Sequence, residues 1–161
     1  SGATISVTGG HGDGTQGYRD DIAHVLHSPA VCDGPADCRR AVREQVRRGA
    51  DHIKLTATGG VLSNTAAGLE QQFFPDELAA IVESGHAMER KVTAHAHGLS
   101  GVNAALKAGV DSIEHGTFLD DESIRLFKKS GAYLVPTLLA GATVAAWADD
   151  PNSFLLPPQR A

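Results

Sequence analysis

Asp51-His52-Ile53-Lys54-Leu55-Thr56, running on into Ala57-Thr58-Gly59-Gly60, decides how this chain folds. Side chains alternate across a β-strand, so Ile53 and Leu55 face one way while His52, Lys54 and Thr56 face the other. A strand with an apolar outer face and a polar inner one, ending at a double glycine, suits a barrel whose helices lie outside and whose chemistry lies at the strand ends.

The neighbouring segments repeat that plan. Upstream, Ala3 to Thr8 reads as a strand feeding Gly9-Gly10, and the stretch through His27 reads as a polar, irregular loop. Asp33-Gly34-Pro35 supplies a cap and an early helical proline. Ala41, Val42, Gln45 and Val46 then carry a helix from Pro35 to Arg48. Downstream, Ala57 to Phe74 is a long loop of the kind that covers a substrate. Leu78, Ile81, Val82 and Gly85 mark a helix from Pro75 to Glu89. Val92 to Ala96 is a strand whose parity puts Thr93, His95 and His97 on one face. Val102, Ala105 and Leu106 predict a helix ending at Gly109, and Val110 to Glu114 a strand. A helix capped by Asp120 or Asp121 and carrying Ile124, Leu126 and Phe127 follows, then a strand from Tyr133 to Leu138. Past Ala140 one more short helix is expected, with Pro151, Pro157 and Pro158 making the tail irregular.

The order βαβαβαβαβ calls for parallel strands joined by helical crossovers. A complete (β/α)8 barrel needs about 250 residues, and this chain has 161. The expectation is an α/β fold, a single-domain partial TIM barrel.

Composition narrows the partners. Fourteen basic and nineteen acidic residues leave a net charge of -5 without a basic run, which argues against nucleic acid. No apolar stretch approaches the ~20 residues of a membrane span, and the opening residues do not resemble a secretion signal, so a cytoplasmic location without membrane contact is expected. Cys32 and Cys38 are too few for a disulfide framework and lack zinc-knuckle spacing; they read as plain loop and helix residues.

Three residues stand out for chemistry. His95 and His115 each lie at a strand exit, where two imidazoles can approach one divalent metal, though an isolated pair reads sooner as partly buried structural histidines. Lys54 must be neutralised, paired or modified, because an unpaired ammonium inside a barrel is costly. A carboxylate partner, a carbamate formed with CO2, and a Schiff-base amine are the alternatives. Tyr18, Arg19, Gln71 and Phe73 read as either entrance residues or solvated loop positions.

GADHIKLTATGGVLSN (49–64), KVTAHAHG (91–98), AGVDSIEHGTFLDDESI (108–124) and YLVPTLL (133–139), taken in order, resemble the metal-dependent amidohydrolase superfamily, in the branch of imidazolonepropionase-like and Xaa-Pro dipeptidase-like enzymes. The resemblance covers most of the chain. It implies hydrolysis of an amide-like C–N bond in a small-molecule amide or dipeptide, by water activated between two divalent metals, zinc being the expected ion. It makes Lys54 the carboxylated, metal-bridging lysine of the fourth barrel strand, His95 the ligand of the fifth and His115 the ligand of the sixth. His11 resembles a substrate-loop histidine of that branch, with a solvated loop histidine as the other reading. His97, which matches no family ligand as securely, shares a face with His95 and is placed as a contact to substrate or to a ligand's partner.

The family's first-strand His-x-His pair and eighth-strand aspartate have no counterpart here, Asp149 and Asp150 lying too early and in the wrong context. The sequence therefore corresponds to strands three to seven, with no complete catalytic set. Little turnover is expected of it alone. An open sheet also favours self-association, and the competing reading is a non-catalytic, self-associating scaffold.

Overall fold

The computed structural model describes residues 2–63 and 68–155. Its ordered elements are α1 (Asp20–Leu26), α2 (Pro35–Arg47), β1 (His52–Thr56), α3 (Pro75–Ala87), β2 (Lys91–Ala96), α4 (Leu99–Ala108), β3 (Ser112–His115), α5 (Asp121–Ser130), β4 (Tyr133–Val135) and α6 (Leu138–Asp149). The four strands form one sheet in the order β1-β2-β3-β4, every neighbouring pair parallel. This is an arc of a barrel, with α2 to α5 on its outer side.

The period-two pattern explains the layering. Ile53, Leu55, Val92, Ala94 and Ile113 are at most 1% exposed and meet the inner stripes of the helices, among them Val42, Leu78, Ile81 and Val102. Each fully buried Val, Leu or Ile contributes about 1.5–3 kcal/mol, so this layer carries most of the fold. Buried Glu77 joins two helix starts by accepting from the Gly34 and Phe74 backbone amides at 2.6 and 2.7 Å. Asp120 is the cap of α5, accepting from Ser123 N at 2.8 Å.

Four expectations need correction. The strand from Ala3 to Thr8 is reduced to two isolated parallel bridges, Ile5 to Leu55 and Ser6 to Val31. Just beyond them Thr8 gives its amide and hydroxyl to the Asp33 carboxylate, which draws the backbone off the ladder. The loop through His27 contains α1, a helix of 7 residues whose apolar Ile22, Val25 and Leu26 stand at helical spacing but stay exposed, so no core packing marks it. The strand at Tyr133 stops at Val135, because Pro136 follows and Thr137 takes φ 46°, opening α6 earlier and longer than expected. Cys32 and Cys38 are bonded to each other, tying the loop ahead of α2 to its first turn.

Phe73 also departs from both readings offered for it: at 1% exposure it belongs to the core. Tyr18 and Arg19 are exposed, and Gln71 donates to the Phe73 carbonyl. Among the described residues no helix is long and apolar enough to cross a membrane.

Candidate functional site

The strands end at a cluster of four imidazoles. His95, the last but one residue of β2, is 6% exposed and is the hub, its ring centroid 4.4 Å from His11, 4.7 Å from His97 and 4.8 Å from His115. His97 and His115 stack at 4.6 Å with an interplanar angle of 13°. The ligating nitrogens of His95, His97 and His115 all lie within 4.8 Å of one another.

Parity alone does not produce this arrangement. Ser112 bonds to Thr93 on the inner face, Ile113 is buried in the outer layer, and Glu114 faces inward again to pair with Lys54. Strict alternation would therefore send His115 outward with Ile113. Instead His115 takes φ 71°, followed by Gly116 at φ 57°, and this left-handed turn swings the imidazole into the mouth. A non-glycine residue in that region is uncommon and points to a position held by its surroundings.

Hydrogen bonds fix each ring. His95 Nε2 lies 3.1 Å from the Gly59 carbonyl, and since a carbonyl only accepts, Nε2 carries the proton and Nδ1 keeps its lone pair. Thr117 and Thr137 hydroxyls hold Nδ1 of His97 and His115 at 2.8 and 2.6 Å, leaving Nε2 of each available to a ligand. Orienting bonds of this kind accompany metal-binding histidines generally. His11 Nδ1 bonds to Ser63 Oγ at 2.8 Å, and its ring lies so close over Gly60 that a Cβ there would meet His11 Cε1 at 2.6 Å.

Burial keeps the rings neutral. Desolvation brings the pKa of His95 down to about 3 and that of His97 to about 4, with neighbouring imidazoles adding to the effect. His11 and His115 are lowered for the same reason, helped by the nearby charge of Lys54. Neutral imidazole is the ligating form. A tetrahedral zinc needs ligand nitrogens roughly 3.3 Å apart, within reach of small side-chain rotations of this set. The donor set thus fits a divalent metal.

Lys54 stands on the inner face of β1 and is mostly buried. Burial pulls its ammonium down to about 8, and Glu114 is its ion-pair partner. The sheet thus brings His11, His95, His97 and His115 together and sets Lys54 near enough for its charge to act on two of them. Glu114, Ser63, Thr117 and Thr137 were not singled out in the sequence. The parity of Glu114 with Ser112 was a readable signal; the three hydroxyl partners had none.

Imidazoles gathered at the carboxyl ends of parallel strands lie where barrel enzymes build their active sites. The chain belongs to the amidohydrolase family, whose model matches residues 4–153. It is 41% identical over 149 residues to the ochratoxinase of Aspergillus niger, an alignment covering 85% of this chain and 31% of that enzyme. A solved Xaa-Pro dipeptidase with methionine bound in its active site superposes with a TM-score of 0.87 at 42% identity, over 98% of this chain and 39% of that one. The crystal structure of A. niger ochratoxinase gives a TM-score of 0.82 at 37% identity, over 94% and 38%. The chain spans less than a third of the length of the curated relatives it matches.

Proposed function

We propose that this chain carries the central part of the active face of a divalent-metal amidohydrolase that cleaves an amide-like C–N bond in a dipeptide or comparable small molecule. The observation that carries the reading is the convergence of three neutral imidazole donors at the ends of β2 and β3, on the sheet face that Lys54 also occupies. Membership of the amidohydrolase family and likeness to a dipeptidase support it.

His95 and His115 are the metal ligands in this reading, and zinc is the preferred ion because nitrogen donors suit it. The bound metal supplies Lewis acidity toward a carbonyl and toward water. The chain's residues do the rest. Thr137 orients His115, and the Gly59 carbonyl orients His95. Lys54, once released from Glu114 and carboxylated by CO2, adds an anionic ligand. His11 and His97 contact the substrate, with Ser63 and Thr117 holding their rings. The aspartate that moves the proton to the leaving group is supplied by no residue of this sequence, so residues 1–161 alone turn over slowly. With β4 as an exposed edge, they self-associate. The location is cytoplasmic in this reading, although the Cys32–Cys38 bond is a feature commoner in oxidising compartments.

The test is to load the whole gene product carrying these residues with zinc in bicarbonate buffer, then measure bound metal and hydrolysis of Xaa-Pro dipeptides. Stoichiometric zinc, lost in His95→Ala and His115→Ala, together with hydrolysis abolished by chelation, is the expected result. Full metal occupancy in both variants, or turnover insensitive to chelators, would overturn the assignment.

A further inference from the structure

The imidazole cluster lines a cavity of about 240 Å³, and the rest of the lining has a different chemistry. Val61 and Leu62 come from the loop after β1, and Ala140, Gly141 and Val144 come from one side of α6. None of these five side chains is charged or bears a polar atom. The helix contributes this face without using it for the core, since α6 has no buried residue. Gly141 lines the cavity and is exposed, and a Cβ added there would meet no atom within 4 Å.

We propose that this aliphatic wall is a subsite for an uncharged, apolar side chain next to the scissile bond, and that Gly141 sets the size it accepts. The inference rests on the hydrolytic reading above for what the imidazoles do, but the subsite is a separate claim about recognition. A charged substituent placed here would lose its water without gaining a partner. An aliphatic one gains from burial, about fourfold in affinity per methylene. The small volume, below that of pockets for drug-sized ligands, limits the occupant to a side chain with its adjoining amide.

The experiment uses the zinc-loaded whole gene product and its Gly141→Leu variant. Gly141 lies inside a helix at negative φ, so leucine there is free of backbone strain and favours the helix. Two dipeptide series, Xaa-Pro and Ala-Xaa with Xaa as Gly, Ala, Leu, Met, Asp or Lys, are compared by kcat/KM. In parallel, equilibrium dialysis measures binding of free glycine, leucine, methionine and aspartate. In one of the two series Leu and Met should exceed Gly by at least tenfold, with Asp and Lys poorest, and free methionine should bind more tightly than glycine. In the variant the Met-to-Gly ratio should fall by at least tenfold in both measurements. An unchanged ratio, or a preference for Asp or Lys, would overturn the subsite. If no dipeptide is cleaved but the binding preference and its loss in Gly141→Leu are seen, the subsite stands and the hydrolytic reading fails. Cleavage with a ratio that Gly141→Leu leaves unmoved means that hydrolysis stands and the subsite falls.

Discussion

Lys54 on β1 and Glu114 on β3 form an ion pair that passes over the strand between them. The register explains how: Lys54 lies level with Thr93 on β2, and Glu114 lies level with His95, two residues further along. Thr93 is small enough to be bridged, and its hydroxyl donates to Glu114 Oε1 at 3.4 Å.

Glu114→Gln should therefore destabilise the fold by about 2 kcal/mol, because it leaves a mostly buried amine without its counter-charge. The double variant Glu114→Gln, Lys54→Met should recover much of that loss. Urea unfolding monitored by circular dichroism checks both, and equal stability of wild type and Glu114→Gln would show that the pair contributes nothing.

His115 sits at φ 71°, which asparagine tolerates and β-branched residues do not. His115→Val should cost about 1–2 kcal/mol more than His115→Asn, a difference arising in the backbone alone. Denaturation midpoints of the two variants without metal decide it; identical midpoints would mean the turn relaxes freely.

Acid should unfold the metal-free chain earlier than its carboxylates would dictate. His95 and His97 have folded pKa values of about 3 and about 4, below the ordinary 6.5. Between those limits the unfolded chain binds more protons than the folded one, so stability is complete above pH 6.5 and declines as pH falls toward 3. Each unit of separation is worth about 1.4 kcal/mol, so the decline amounts to several kcal/mol. Urea midpoints measured with a chelator from about pH 7 to about pH 4 should fall, and His95→Gln should flatten the slope. A midpoint that stays constant over that range would contradict the buried, neutral rings.

Gly101→Ala should be among the more damaging small substitutions. A Cβ there would lie 2.2 Å from Thr58 Cγ2 and 3.2 Å from the Ala57 carbonyl, so α4 would have to lift off the end of β1. Overpacking of this kind costs about 1–3 kcal/mol, against the gain of helix propensity that alanine normally brings. A variant as stable as wild type in thermal melts would show that this contact yields easily.

Reduction of the Cys32–Cys38 bond should lower stability only modestly, by about 2 kcal/mol, because the loop it closes is short. Thiol titration before and after reduction, paired with urea midpoints, tests both the bond and its contribution. Two free thiols in the unreduced, unfolded protein would show that the bond does not form.

The alternation of strands and helices, the parallel sheet, the apolar outer faces, and the placing of Lys54, His95 and His115 at strands or their exits were all legible in the sequence. These are local properties, set by periodicities of two and 3.6 and by glycine, proline and aspartate at the turns. The sequence missed α1, a short helix whose apolar Ile22, Val25 and Leu26 keep helical spacing without packing on the core, and it carried a strand on to Thr8, where Asp33 captures the backbone. That His115 leaves the parity of its strand to join the mouth, that Glu114 reaches Lys54 across β2, and that the His11 ring lies close over Gly60 became visible with the folded chain. Those facts depend on register and close approach between segments distant in the chain, and no local pattern encodes a distance between residues the fold has yet to bring together.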